Sequence, residues 1–255
     1  MAYTPSPENY FLGKGALYFD RFDSNGNPTG ELHLGNCPDF SISVEVETKE
    51  HRSSLSGLSE KDTGLITGVN ATVKFTLEEF VTENLILAFL GEQGSLTQTA
   101  GSVTDESHTA KKNRWIKLQY RGVSNVVVTD ESGGTTYTED EDYRVDATTG
   151  RIYIIPSGNI ADGQTILVDY DYGALDLDTV QGLKNAETLG FLRFIPADDQ
   201  QGPKHEVEIW KVRLWPSGEI GFISDDWAQM TIEGAIIKDE ENHPNEPYFR
   251  LIPRD

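Results

Sequence analysis

The chain has 255 residues, 37% of them hydrophobic, and 42 acidic side chains against 21 basic ones give a formal charge of −21. That length and apolar content exclude a disordered chain and suit one large β domain or two smaller ones. The charge excludes a protein that grips nucleic acid, although not one that nucleic acid must pass without adhering.

The single cysteine, Cys37, rules out an internal disulfide framework and fits a reducing compartment. "MAYTPSPENY" lacks the basic-plus-apolar pattern of a secretory signal. The longest apolar run, Leu85 to Leu90, is far shorter than the roughly 20 residues of a membrane span. A soluble protein of the cytoplasm, or a part of a virion, is expected.

In chain order, "GALYFDRF" reads as a first strand, and Asn25-Gly26 marks a hairpin turn before "ELHLGN". The segment from about Phe40 to Thr48 alternates, with Ile42, Val44 and Val46 against Ser43, Glu45 and Glu47. One buried and one polar face are expected there. A polar loop follows over about 50–64. "ATVKFTLE" alternates again, with Ala71, Val73, Phe75 and Leu77 opposite Thr72, Lys74, Thr76 and Glu78. It is expected to pair antiparallel with the preceding strand. "VTENLILAFLG" has helical spacing, with Thr82 placed to cap its start and Gly91 its end.

Residues 92–107 have linker composition. "RWIKLQY", "NVVVTD", "EDYRVD", "GRIYIIP" and "QTILVDYDY" then supply short strands with turns about ten residues apart, the pattern of a small sandwich or barrel. "ETLGFLRFIP" and "HEVEIWKVRLWP" resume the first domain. Val207 and Ile209 are out of phase with Trp210, Val212 and Leu214, which predicts a bulge. "DDWAQMTIEGAIIKD" adds a strand. The resulting organisation is an outer β domain over 1–104 and 175–255, interrupted by an inserted β domain over 105–174. Residues 108–174 hold 10 acidic and 7 basic side chains, so the acidity lies in the outer segments.

No arrangement points to catalysis. His33, His51, His108, His205 and His243 stand apart, so surface or loop positions are the expectation rather than metal ligation. "GKGALYF" lacks the phosphate-loop pattern and leads into a strand. "DSNGNPTG" begins like a calcium loop, but Pro28 and Leu34 stand where glycine and an acid are required. Asp169, Asp171, Asp176 and Asp178 read as a solvated acidic linker, with a bridging cation as the alternative. Tyr170, Tyr172, Trp210 and Trp215 read as core packing rather than a sugar site. Neither an enzymatic activity, a metal nor a cofactor is expected.

Taken in order, the "GKG" start, strand "ALYF", the Gly35-Asn36 step, the long hairpin, the helix "TENLILAFLG" and the late "GEIGFISDDWAQMTIEGAIIKD" resemble the major tail tube proteins of long, flexible-tailed phages. Chi-like, flagellum-targeting phages are the candidate subgroup. "EDYRVDATTGRIYIIPSGNIADGQTILVDYDYG" also resembles small β modules of phage tail proteins. The resemblance implies a mostly β subunit: a tail-tube-type β-sandwich with one flanking helix, plus an inserted small β-sandwich on the outer surface. It implies stacked hexameric rings with an acidic lumen through which the genome leaves. Implied partners are further copies of the chain, a tail terminator, a tape measure and baseplate or distal tail proteins. Assembly in the host cytoplasm and residence in the virion tail go with it.

On that reading the polar strand faces line the lumen: Glu45, Glu47, Thr72, Lys74, Thr76, Glu206, Glu208, Gln229, Thr231 and Glu233. Glu45 or Glu47 is expected to neutralise Lys74 across the strands. The ring-stacking loop is Lys49, Glu50, His51, Arg52, Ser53, Ser54, Leu55, Ser56, Gly57, Leu58, Ser59, Glu60, Lys61 and Asp62, facing acidic surface on the next ring. The competing reading is a carbohydrate- or receptor-binding β module carried by the inserted domain.

Overall fold

The computed structural model describes residues 6–54 and 59–254. Strands take 53% of the chain and helix 4%, so the protein is mostly β and of sandwich type, with one α-helix. It divides into two compact units, residues 1–93 with 180–255, and residues 94–179. The second unit is wider at both ends than the 105–174 insert expected from composition.

The first unit is built on one eight-stranded sheet. After a 3-10 turn at Pro7–Asn9 come β1 (Gly15–Arg21) and the two-residue β2 (Leu32–His33). The long hairpin follows, β3 (Asp39–Arg52) and β4 (Lys61–Leu77), and then helix α1 (Thr82–Ala88). The strand order is β2-β1-β13-β14-β15-β4-β3, with β13 (Thr188–Pro196), β14 (Lys204–Pro216) and β15 (Met230–Ile236) at its centre. A last strand, β16 (Phe249–Arg254), also pairs with β14.

Apolar alternation places Leu17, Phe19, Val73, Phe75, Leu192, Ile209, Val212, Leu214 and Ile232 on one buried face, where they form a single core with Leu34, Leu87 and Met230. At roughly 1.5–3 kcal/mol per fully buried large aliphatic or aromatic side chain, this core is the main stabilising term of the unit. The phase change in β14 is a real irregularity: its register against β13 shifts between Gly190 and Leu192. Both apolar sets, Val207 with Ile209 and Val212 with Leu214, therefore reach the core. On its other edge β14 pairs first with β16 (204–209) and then with β15 (212–216).

Some expectations change. Gly15 allows close strand approach, since a Cβ there would lie 2.3 Å from the carbonyl oxygen of Ile195. Helix α1 is capped by Val81, with no side-chain cap bond, so Thr82 is the first helical residue and not the cap. Its buried face carries Asn84, whose amide donates to the carbonyls of Leu34 (3.0 Å) and Glu79 (2.9 Å).

The supposed linker of 92–107 is largely strand: β5 (Glu92–Gln98) and β6 (Gly101–Thr109). β6 finds its partner in β11 (Thr165–Tyr172), a distant pairing that composition alone does not reveal. β5 pairs with β12 (Leu175–Gln181) as a two-stranded ribbon.

The second unit packs two three-stranded sheets over its own core. One has the order β7 (Trp115–Lys117), β10 (Arg151–Ile154), β9 (Tyr143–Asp146). The other has the order β6, β11, β8 (Val123–Asp130). Leu118, Val128, Ile152, Ile154, Ile160, Ile166 and Val168 fill the space between, each at most 1% exposed.

Candidate assembly surface

The largest departure from the sequence reading is the hairpin of β3 and β4. The polar segment after Thr48 is not a free loop. Pairing continues from Asp39 opposite Thr76 to Arg52 opposite Lys61. Only the base of the hairpin lies on the core, through Phe40 and Ile42 of β3 and Ala71, Val73, Phe75 and Leu77 of β4. Val44 and Val46, expected in the core, are 55% and 52% exposed, and their neighbours Val69 and Ile66 are 57% and 63% exposed. The physical reason is that β15 pairs with β4 only over residues 72–77. Beyond Ala71, which still touches the core, the hairpin is a two-stranded ribbon with neither a third strand nor a second layer among the described residues.

The ribbon has two unlike faces. Register puts Val44 opposite Ala71 and Val46 opposite Val69, so an apolar stripe continues the core face outward. The opposite face carries Ser43, Glu45 and Glu47, facing Thr72, Asn70 and Gly68. Glu47 accepts a hydrogen bond from the Asn70 amide at 2.8 Å. Thr67 bulges out of register, Glu47 pairing with Gly68 and Thr48 with Ile66.

Toward the base, this polar face runs on across β4 and β15. Thr72, Lys74 and Thr76 stand opposite Ala235, Glu233 and Thr231. Lys74 Nζ lies 3.0 Å from Glu233, so Glu233, not Glu45 or Glu47, neutralises it. That bond, aided by Ser217, holds the Glu233 carboxyl below the usual range. Thr76 and Thr231 hydroxyls are 3.5 Å apart, and the Gln229 amide donates to Glu78 at 2.9 Å. Glu45, Glu47, Thr72, Lys74, Thr76, Gln229, Thr231 and Glu233 thus belong to one sheet face.

Glu206 and Glu208 belong to a separate cluster on the first half of β14. Arg193 bonds Glu206 at 2.5 Å and Glu208 at 2.6 Å, and Arg250 bonds the other oxygen of Glu208 at 2.5 Å. Glu208 is buried. A buried carboxylate requires such partners, so Glu208 is a structural counter-ion rather than an open acidic group.

Of the residues expected in the stacking loop, Lys49, Glu50, His51 and Arg52 are in β3, and Lys61 and Asp62 are in β4. Ser53 and Ser54, then Ser59 and Glu60, follow and precede the strands, with the Ser53 amide donating to the Glu60 carbonyl at 2.8 Å. Leu55, Ser56, Gly57 and Leu58 lie outside the described residues. Three of the basic side chains find partners inside the hairpin: Lys61 with Glu50 at 2.6 Å, Arg52 with Glu50 at 3.6 Å and the His51 ring with Asp62 at 2.6 Å. Such exposed pairs contribute about 0–1 kcal/mol each. They hold the ribbon's register more than its stability.

Among the described residues no group of three or more His, Cys, Asp or Glu is placed to hold a metal ion. Asp23 and Asp20, near the calcium-like motif, accept backbone N–H groups of their own turn instead. Burial pushes the Cys37 thiol up to about 11, the nearby carboxylates of Asp39 and Glu78 adding to it. A thiol so seldom ionised is a poor nucleophile. The candidate aromatics fall in different units: Tyr170 is buried in the second core, while Trp210 is buried in the first unit, donating to the carbonyl of Glu246 at 2.6 Å.

With this geometry in place, comparison with known proteins gives two findings. Residues 10–251 match a family described as "Protein of unknown function UCP028589", and the chain belongs to that family. The match spans the inserted unit as well as the outer segments. A stretch of 57 residues is 44% identical to the tail sheath protein of Burkholderia phage BcepMu. That stretch is 22% of this chain and 12% of the length of the phage protein.

Proposed function

We propose that the chain is a structural subunit of a phage tail tube, assembling into stacked hexameric rings around an acidic channel for DNA. The observation that carries this reading is the unpartnered hairpin. An isolated two-stranded ribbon is marginal in water. A long edge strand with open backbone groups is a template for pairing. Both are explained if a neighbouring copy covers the apolar stripe or extends the sheet along β3.

Magnitudes favour a many-contact polymer over a simple pair. Covering four half-exposed side chains, Val44, Val46, Ile66 and Val69, contributes about 1 kcal/mol each. Association costs about 4–15 kcal/mol in lost freedom. One hairpin contact therefore about breaks even at best, and closed rings that repeat the contact and add others are the stable solution.

The likeness to a sheath protein over a short stretch supports a tail structural role. The continuous polar face with Glu45 and Glu47 supports a channel lining, because like charge disfavours phosphate adhesion. On this reading the chain performs no catalysis and needs no cofactor.

Electron microscopy of purified full-length protein, and of the source particle, tests the proposal. Rings or tubes with an open centre are expected. A strictly monomeric protein under all assembly-promoting conditions, with no tube in the particle, would overturn it. Replacing Glu45 and Glu47 by lysine is expected to leave rings intact and slow DNA ejection; unchanged ejection kinetics would place those residues off the channel.

The name of the phage relative favours a second reading, a subunit of a sheath around the tube. Immunogold labelling or a reconstruction of the tail distinguishes the two by whether the chain lies against DNA or encloses another protein tube.

A further inference from the structure

The register shift in β14 does more than bring two apolar sets to the core. Gly190 pairs with Val212 and Leu192 with Ile209, so Phe191 alone stands opposite two residues, Trp210 and Lys211. Such a bulge re-aims side chains. Here it brings both residues to the wall of one cavity of about 620 Å³, on the face of the sheet away from the core. Trp210 is buried, stacked on His243 at 3.8 Å and on Phe191 at 6.0 Å. These rings make an apolar wall. Asp20, opposite Phe191 on β1, adds a carboxylate, and Asn27 and Asn242 add amides from two bordering turns.

Asp20 differs from the other buried carboxylates. Asp20, Asp142 and Glu208 are 7%, 3% and 5% exposed. Glu208 has an arginine on each oxygen, and Asp142 has N–H donors on each. Asp20 uses Oδ1 alone, accepting the backbone N–H of Thr29 at 2.7 Å and that of Gly30 at 2.8 Å. Its Oδ2 has no partner among the described residues. A carboxylate oxygen in so buried a residue is costly without a donor, and the cavity is where a donor from outside the chain can reach it. Lys211 is the counterpart, an ammonium with neither a hydrogen bond nor an ion pair among the described residues. The other charged groups of the cavity are already engaged, Arg193 by three carboxylates and Asp239 by His243 and Asn242.

The two open groups have opposite signs. An anionic ligand would meet Asp20 and Asp239, and a cationic one would meet Lys211 and Arg193. A hydroxyl group suits both, because it donates to a carboxylate and accepts from an ammonium. Stacked rings with a few convergent polar groups, in a cavity of this size, are the ordinary form of a small-molecule site.

We propose that this cavity binds a neutral disaccharide, with one hydroxyl donating to Asp20 Oδ2, another accepting from Lys211 Nζ, and sugar C–H groups against the aromatic wall. The site lies within one subunit and does not rest on the self-assembly reading.

Titration calorimetry of the full-length protein with maltose, lactose and N,N′-diacetylchitobiose, each alone, tests it. At least one is expected to bind and to shift the backbone amide signals of Lys211 and Asn242 in NMR spectra. Asp20→Asn keeps a carbonyl oxygen for the Thr29 and Gly30 amides. It is expected to weaken that binding roughly 30-fold, the scale of a hydrogen bond to a charged group. Lys211→Met keeps the stem, removes the ammonium and is expected to weaken binding roughly 10-fold. Lys49→Met, on the hairpin, is expected to leave the affinity unchanged.

Failure of all three disaccharides to bind overturns the proposal, as does an affinity unchanged in either Asp20→Asn or Lys211→Met. If Asp20→Asn does not fold, Lys211→Met and the amide shifts decide alone. Binding of glucuronate or spermidine in place of the neutral sugars would assign the cavity to a charged ligand and overturn it as well. None of these outcomes bears on the assembly reading, whose test is ring formation.

Discussion

The hairpin and the inserted unit are both small β structures, yet only one closes on itself. The inserted unit stacks two three-stranded sheets, and its Ile152, Ile154, Ile160, Ile166 and Val168 are fully buried. The outer hairpin has strands longer than any in that unit, but past Ile42 it has one layer and no core. Strand length and alternation thus say little about where stability resides. What matters is whether a second layer covers the apolar face. The insert carries a core of its own, and the outer hairpin, among the described residues, does not.

Excising the outer hairpin breaks this comparison most directly. Joining Glu45 to Asn70 through an Asn-Gly turn removes the ribbon beyond the core. Complete loss of assembly is expected, with unfolding free energy changed by only about 1 kcal/mol. Electron microscopy and denaturant titration read the two quantities. A large loss of stability would show that the ribbon belongs to the monomer core.

Ile154→Ala is the opposite case. It empties a fully buried site in the inserted unit and is expected to cost about 2–5 kcal/mol, read as a lower urea midpoint for that unit. Val46→Thr with Val69→Thr keeps the β-branched shape on the exposed stripe. It is expected to change monomer stability by under about 0.5 kcal/mol while weakening assembly. An effect on stability as large as that of Ile154→Ala would erase the contrast.

The smallest expected effect is a pH dependence confined to the insert. A hydrogen bond from the Thr149 hydroxyl, with the Arg151 guanidinium 2.6 Å away, holds the Asp146 carboxyl at about 2, against a usual value of 3.8. A depressed carboxylate contributes stability above its usual value and loses it as the pH falls toward the folded one. The insert should therefore lose this contribution between about pH 3.8 and about pH 2. Asp146→Asn should flatten that portion of its acid-unfolding curve while leaving the hairpin's assembly unchanged at neutral pH.

Much of this was legible in the sequence. Alternation located the strands around Val73, Ile209 and Ile232, and the phase change at Trp210 predicted the bulge in β14. Periodicity assigns residues to a face, however, and does not say what lies over it. Ile42, Val44 and Val46 are equivalent in pattern, yet only Ile42 meets the core. A signal for the longer strand was present: Val69 is in phase with Ala71 and Val73, so the alternation begins before residue 71. The register was not visible, because the Thr67 bulge offsets β4 by one residue. For Lys74 the opposite neighbour was decided by which strand lay on its other side, and β15 is distant in sequence. Glu208 carried no signal of burial, since its two arginine partners come from β13 and β16.

The bulge at Thr67 has a consequence for how many neighbours the hairpin can serve. By shifting β4 one residue, it places Ile66 opposite Thr48, on the side of Val46, and Leu65 opposite Lys49, on the side of Glu47. Both are more than 60% exposed. The tip of the ribbon is therefore greasy on its two sides, where the stem is so on one. A single flat surface can dry only one of those sides. The tip calls for a cleft, and in a polymer of identical copies a cleft forms most simply where two neighbours meet. Each hairpin would then act as a three-body joint, so that pulling one subunit from the lattice strips contacts from two others.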